Sequence, residues 1–384
     1  MKVYDLLVIG GGFSSVACIS NCIKNGFQGK IAILEAGRKL GGRCSLKTSK
    51  KYKDWNIHHG SPNFNIVENS KESLISNFIQ YLISNDLIVV DDSYFFELDK
   101  NFDISSRPKN DFYKGVVYKP LKSMSDMLLR LIKLIDLKEN VDIFNSSIVR
   151  DLEYHNYKWR LNTKDGVEFY CKHLVVSSNL ILHRRSKKIL STDNIPMNNV
   201  LKKNNNTQIY QLIQAVNKQK NIIRNNFIIY THNDYRYKLL EFKKDINVFL
   251  NKEAEEKIGI ERIVFQQQTN NNLGIVVHTK AGDNLGLESK IYDELFVYKN
   301  LINRLNEVFR ENQLINQVNE YKDISIMNWR SSQPLGRGIN KEFQVCKELN
   351  ISFCGDWFAY KGFGRVEGAI LSGISLSNML VNLI

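Results

Sequence analysis

An α/β fold, in which a Rossmann-like domain is joined to a second α+β domain, is predicted by three features of this 384-residue chain. First, an apolar run from Lys2 to Ile9 feeds Gly10-Gly11-Gly12, an apolar-periodic stretch begins at Phe13, and a second strand ends at Glu35. Second, Gly41-Gly42-Arg43 begins six residues after Glu35, with Arg38 just ahead of it. Third, Gly355-Asp356 stands near the far end and is followed by Arg365-Val366-Glu367-Gly368-Ala369. Together they read as parts of one dinucleotide site assembled from both ends of the chain.

The first unit has a direct physical logic. A pair of phosphates reaches the end of a strand only where the turn carries no side chains. Gly10 and Gly12 supply that clearance, and the helix that opens at Phe13 and Ser14 adds free N–H groups and a partial positive charge. Glu35 lies 23 residues after Gly12, close to the roughly 20-residue spacing of such units, where a carboxylate accepts from both ribose hydroxyls. Ala36 and Arg38 follow it in the same candidate set. Ser15 occupies the third small position, which loosens helix packing slightly without removing phosphate contacts. An NAD domain has no need of Arg-x-x-Gly-Gly-Arg directly after its second strand. In this run the chain resembles FAD-dependent amine oxidases and desaturases, and that resemblance implies that Gly42 lets backbone approach the flavin side of a diphosphate, that Arg43 adds a bidentate fork, and that the cofactor is FAD.

The remaining elements follow in order. A helix is predicted over Lys71–Asn85, and Leu87–Tyr118 reads as strands and loops. Met124, Met127, Leu128, Leu131, Ile132 and Ile135 recur at helical spacing, predicting an amphipathic helix over Ser123–Leu137 with the methionines in the core. From Val141 the pattern changes to period two and apolar runs, through Asp142–Leu152, Trp159–Thr163 and Leu174–Ser177. Helices are expected at Glu253–Gly259 and Glu288–Asn312, with a strand at Leu273–His278 and a loose polar group of His278, Lys280 and Asp283 after it. Ile351–Gly355 is a short strand, Asp356 can accept from a ribityl chain, and Arg365–Glu367 open a C-terminal helix. That helix N-terminus, with Val366, Glu367 and Ala369, favours negative charge on a flavin pyrimidine, Glu367 acting through its backbone N–H. The dinucleotide domain is assigned to residues 1–64, 114–181 and 322–384, and the substrate domain to 65–113 and 182–321.

Composition narrows the function classes. A hydrophobic content of 43% supports a sizeable core and two domains. The most apolar stretch, Leu6–Ile23, is broken by glycines and polar residues and falls short of the ~20 residues a membrane span needs. The protein is therefore read as cytoplasmic with no membrane span. The formal charge of +13 is compatible with an anionic small-molecule substrate. It also reflects a general abundance of lysine and asparagine, as in Lys202-Lys203-Asn204-Asn205-Asn206. Basic groups at Lys47, Lys50, Lys51 and Lys53 and at Arg184, Arg185, Lys187 and Lys188 lack interleaved aromatics, which argues against nucleic acid. The six cysteines form no C-x-x-C pair and no metal-ligand spacing, so free buried thiols and no metal are expected. Cys44, next to Arg43, is the one placed near the cofactor.

Four stretches carry a resemblance that spans nearly the whole chain: Val8–Ser15, Glu35–Arg43, His59–Phe64, and the tail from Trp329-Arg330 through Gly355-Asp356-Trp357 to Gly373. The chain resembles the renalase-like flavoproteins of the FAD-dependent amine oxidase superfamily. Members usually show Asp-His-Gly-Ala-Gln-Tyr-Phe where this chain has His58-His59-Gly60-Ser61-Pro62-Asn63-Phe64, so the leading Asp and the Gln-Tyr pair are replaced. The resemblance implies a two-dinucleotide-binding-domain fold of the p-hydroxybenzoate hydroxylase type, with the backbone of Val149 against the adenine. It places the run of Trp329, Arg330 and Pro334 near the active-site wall. Trp329 would lie beside the isoalloxazine, Arg330 would hold an anionic substrate or a structural carboxylate, and His59 would touch flavin or substrate or be a satisfied structural histidine. The implied activity is hydride transfer from a small organic donor to flavin N5, as in an oxidase of dihydronicotinamide isomers that releases hydrogen peroxide. An amine oxidase or a porphyrinogen or carotenoid desaturase is the alternative within the superfamily. A flavin-fold binding protein without turnover, like the prenyl-GTPase escort proteins, is the alternative outside it.

Overall fold

A computed structural model describes residues 2–52, 55–67, 73–106, 114–232, 244–268, 272–282, 294–312 and 323–383. The chain opens with β1 (Val3–Ile9), α1 (Phe13–Lys24) and β2 (Ile31–Leu34). A hairpin of β3 (Leu46–Thr48) and β4 (Asn56–His58) leads to β5 (Phe64–Ile66), α2 (Leu74–Ser84) and β6 (Ile88–Val90). Then come β7 (Tyr94–Leu98), β8 (Ile104–Ser105), β9 (Val116–Pro120) and α3 (Met124–Ile135). Next are β10 (Val141–Phe144), β11 (Val149–His155), β12 (Lys158–Thr163) and β13 (Glu168–Val176), followed by α4 (Ser186–Leu190), α5 (Pro196–Asn204) and α6 (Thr207–Lys218). The second half holds β14 (Asn221–His232), β15 (Ile246–Leu250), α7 (Lys252–Ile258), β16 (Ile260–Gln267), β17 (Asn272–Thr279), α8 (Glu294–Asn312) and β18 (Asp323–Pro334). The described chain closes with β19 (Val345–Cys346), β20 (Ile351–Phe353) and α9 (Val366–Leu380).

Two sheets organise these elements. The first runs β10-β2-β1-β13-β12-β11, with β20 on the C-terminal half of β13. Strands β10, β2, β1, β13 and β20 are parallel and β11 and β12 antiparallel. Its central segments, Leu6–Ile9 of β1, β2 and Leu174–Val176 of β13, read as apolar runs because helices cover both faces there. One face buries α1, α2, α3 and α9 through Val16, Ile19, Phe78, Leu128 and Ile374. On α3 the predicted stripe is buried, and Ser123 caps the helix by accepting from the Asp126 N–H at 3.1 Å. The other face buries α5 and α6 through Val200, Ile209, Leu212 and Val216.

The second sheet runs β18-β14-β17-β16-β15-β7-β8. Its outer face packs on α7 and α8 through Ala254, Ile258, Leu301 and Leu305. On its inner face Trp55 and Ile57 of the β3–β4 hairpin meet Ile228, Tyr230, Val264 and Val276. A Cβ on Gly274 would collide with the Ile57 side chain there, so the bare glycine lets the hairpin sit down on the sheet.

The domain division read from the sequence differs from this arrangement in three places. Helices α4–α6 were assigned with the substrate domain, yet α5 and α6 complete the first sheet's second layer because their apolar faces meet Leu7 and Trp159. Helix α2 and strand β6 share the core of α1 rather than of the second sheet. Strand β18, assigned to the dinucleotide domain, is an edge strand of the second sheet along β14. Among the described residues no helix is long and apolar enough to cross a membrane.

Candidate cofactor and substrate site

In the first sheet the chain leaves β1 for β2, while β13 lies on the other side of β1. Such a reversal opens a crevice beyond the carboxyl ends of the strands. Gly10 lines it with φ +101°, and a Cβ there would stand 2.6 Å from Ser177 Oγ. The Glu35 carboxylate is 7% exposed and holds the turn from both oxygens, accepting from the Gly11 N–H and the Gly37 N–H at 2.6 Å each. The Gly41 N–H donates to the Gly11 carbonyl at 2.9 Å, tying the Gly-Gly-Arg loop to the first turn. A Cβ on Gly12 would meet nothing within 4 Å, and one on Gly42 would meet only the Gly12 Cα at 3.9 Å. Two bare glycines thus face one open cleft. Gly12 is also the N-cap of α1 and offers no side-chain cap, leaving the helix N–H groups to the cleft.

The two ends of the chain meet at Arg43. Its guanidinium donates to Asp356 Oδ1 at 2.5 Å and to the Ser332 carbonyl at 2.9 Å. Asp356 is buried and follows Gly355, whose φ of +148° and contact with Trp357 exclude a side chain. The Gly355 N–H donates to Ser372 Oγ on α9 at 3.0 Å. Helix α9 opens at Arg365 without a side-chain cap. Val366 and Ala369 on its first turns are half-buried. The Glu367 carboxylate is fully buried and accepts from the Val67 N–H at 2.9 Å and from Arg365 at 3.2 Å, so its side chain serves structure. A Cβ on Gly373 would collide with the Ser14 carbonyl, which is why α1 and α9 approach closely.

The other candidates take varied positions. Ser14 is buried against α9, and Ala36 and Arg38 are exposed on the rim beyond Glu35. Phe13 is buried in the core and meets Phe64 edge to face at 5.4 Å, so its ring packs rather than faces the cleft. Val149 is buried among the residues under α5. The turn just before it is tied to the Glu35 segment, Ser146 donating to the Gly37 carbonyl and Ser147 to the Glu35 carbonyl, each at 2.8 Å. The polar run Asn145-Ser146-Ser147 marks this turn inside Asp142–Leu152, and Ser146 there has φ +57°. Burial pushes the Cys44 thiol up to about 12, against the opposing pull of Arg43, so it is no nucleophile.

On the second sheet's inner face a buried polar group gathers around His59. The His59 ring, 4% exposed, stands edge to face with Trp329 at 5.3 Å. Asn226 on β14 donates to the His59 carbonyl at 2.5 Å and is the register partner of His278 on β17, which in turn pairs with Arg262 on β16. Arg262 is buried, donates to the side-chain oxygens of Asn63 and Asn247, and lies over the Phe249 ring. Burial, with Lys47 and His58 adding to it, holds His59 down at about 4. Burial, then Arg262, Arg224 and His59, holds His278 well below the usual histidine range. Both rings are neutral at pH 7. Among the described residues His59 Nδ1, His278 Nε2, Asn226 Oδ1 and Trp329 Nε1 have no hydrogen-bond partner.

Arg330 does not join this group. It is exposed, and strand alternation turns it to the face opposite Trp329. His278 lies within β17 rather than after it, Lys280 pairs with Glu256, and Asp283 falls outside the described residues. Asn226 and Arg262 escaped the sequence reading. Their signal was a polar side chain at an inward position of an otherwise apolar strand, as in Ile260-Glu261-Arg262-Ile263-Val264-Phe265.

A family model described as an NAD(P)-binding Rossmann-like domain matches residues 8–82. No curated protein sequence matches the chain. Among solved structures, a protein assigned as a protoporphyrinogen oxidase from Exiguobacterium sp. 255-15 superposes with a TM-score of 0.62 at 12% identity, covering 100% of this chain and 99% of its own. Putrescine oxidase, in its wild-type form bound to putrescine, gives 0.62 at 10% identity with 99% of each chain covered. A triple mutant of the same enzyme, redesigned in cofactor binding, gives 0.64 at 10% identity over 99% of each chain. The chain therefore has the Rossmann-like α/β fold of these oxidases over its full length.

Proposed function

We propose that the protein binds FAD and oxidises a small neutral or anionic organic donor, with oxygen or another acceptor receiving the electrons. The observation that carries this reading is the open cleft between Gly12 and Gly42, bounded by Glu35, the uncapped start of α1 and the Arg43–Asp356 pair. Each oxygen of Glu35 already takes one backbone N–H and keeps a second lone pair for a ribose hydroxyl. The bare glycines and the α1 N-terminus suit a diphosphate. Asp356, oriented by Arg43, would accept from the ribityl chain, and the α9 N-terminus favours negative charge placed before it. Bound FAD would supply the two-electron acceptor. A scaffold that had abandoned FAD would have little use for Glu35, Arg43, Gly355 and Asp356 together.

The chemistry of the donor is read from the second sheet. Lys47 places positive potential on His59 and the buried Arg262 on its register partner His278, while Glu261 balances the charge of Arg224; the remaining cations disfavour a protonated amine and favour a neutral or anionic donor. The neutral imidazoles and Trp329 offer hydrogen bonds without a net charge. Dihydronicotinamide isomers, the donors the family resemblance implies, meet this description. Amine and porphyrinogen donors are supported by the oxidases that share the fold.

An anaerobic panel decides among them. Purified protein is mixed with dihydronicotinamide isomers, putrescine and a porphyrinogen while flavin absorbance is followed. Bleaching by the isomers, with peroxide appearing on admission of air, is the expected result. Bleaching by putrescine alone would overturn the charge argument, and a chain that takes up no flavin would overturn the whole reading.

A further inference from the structure

The sequence places Arg185 in an unremarkable basic run, and the fold brings it to the cofactor crevice. Strand β13 ends at Val176, and Ser178 then passes over the glycine turn, with its N and Cβ each 3.5 Å from where a Cβ of Gly10 would stand. The next residue, Asn179, accepts from the Arg185 guanidinium at 2.7 Å. That bond draws Arg185 back toward the carboxyl ends of β1 and β13. The side chain is half-buried, and among the described residues no carboxylate pairs with it. Burial, and then the charge of Arg43, holds Arg185 down at about 10, so the two guanidiniums feel one another. Arg43 is paired with Asp356, whereas Arg185 has only a neutral amide. Two like charges beside an open, side-chain-free cleft form an arrangement that an anion between them would relieve.

We propose that Arg185 is a second phosphate-binding residue of this site, clasping the dinucleotide diphosphate from the β13 side while Arg43 and the α1 N-terminus hold the other. The assignment rests on the FAD reading above. It also predicts that flavin affinity depends on the phosphates through this residue.

The test titrates full-length apoprotein with FAD and with riboflavin, which lacks phosphate, following flavin fluorescence at several salt concentrations. Arg185→Gln is expected to weaken FAD binding by about tenfold or more, the loss of one charge-assisted hydrogen bond. Riboflavin affinity should stay unchanged, which also shows that the variant is folded. Arg185→Lys should recover part of the FAD affinity, and the salt dependence of Arg185→Gln should be shallower than that of the unsubstituted protein. Equal FAD affinity in Arg185→Gln, or an equal loss for riboflavin, would refute the assignment and leave the functional reading standing. Failure of the unsubstituted chain to bind FAD would remove both.

Discussion

Gly10 and Gly12, two residues apart, are expected to respond in opposite ways to the same substitution. Gly12 has φ −87°, and its missing Cβ faces open space, so Gly12→Ala should cost the apoprotein less than about 1 kcal/mol. It should nevertheless lower FAD affinity about tenfold or more, because the added methyl fills the phosphate cleft. Gly10→Ala meets both a positive φ and Ser177, and should destabilise the apoprotein by about 1–3 kcal/mol. Thermal melts beside FAD titrations separate the two effects, and an apoprotein equally tolerant at both positions would show that the cleft has been misread. Glu35→Ala removes acceptors from two backbone N–H groups and from the ribose, so it should lose FAD affinity by about 1.5–3 kcal/mol and also melt earlier. Trp329 and Arg330 form a second contrast. Trp329→Ala should reduce kcat/KM by removing a wall beside His59, whereas Arg330→Met, on the opposite face, should leave kinetics within about twofold. A steep loss in Arg330→Met would mean that β18 presents its other face to the donor.

At the scale of elements, the parts that local chemistry determines were legible. The β1–α1–β2 unit, α3 and α7 appear where apolar spacing placed them. The C-terminal helix was announced by Arg365–Glu367, and its contact with α1 depends on Gly373, where Gly373→Val should cost about 3 kcal/mol or more by overpacking against Ser14. Far-ultraviolet melting of that variant checks the point, and an unchanged midpoint would deny the close approach. What stayed hidden were pairings between distant segments. Within Asp142–Leu152 the polar run Asn145-Ser146-Ser147 marks the break between β10 and β11, but nothing local says that β10 pairs with β2, that β11 pairs with β12, or that the turn bonds to the Glu35–Gly37 backbone. Likewise α5 and α6 carry an ordinary amphipathic pattern that says which face is buried but not against which sheet. The Asn226–His278–Arg262 row became visible only once register aligned three strands.

For the whole molecule, buried neutral histidines couple stability to pH. His59 and His173 are held by burial at about 4, below the ordinary value of 6.5 they regain on unfolding, and burial holds His278 well below that ordinary value too. Between those values the unfolded chain binds more protons than the folded one, so stability is full above about pH 6.5 and falls as pH drops toward 4. His59 and His173 each contribute on the order of 3 kcal/mol to that loss. Denaturant midpoints measured from pH 7.5 to 4.5 should fall steadily, and His173→Gln, which lies outside the cleft and contacts Ser352, should flatten the slope. A pH-independent midpoint would show that these rings are not buried as neutral groups.

The central claim is that both ends of this chain build one FAD site, and the most direct test is the absorbance spectrum of the purified protein after reconstitution with excess FAD and removal of the unbound fraction. The account predicts flavin bands at an equimolar ratio to the chain, largely lost in Glu35→Ala and in Gly12→Ala. A colourless protein that retains no flavin while remaining folded would contradict it.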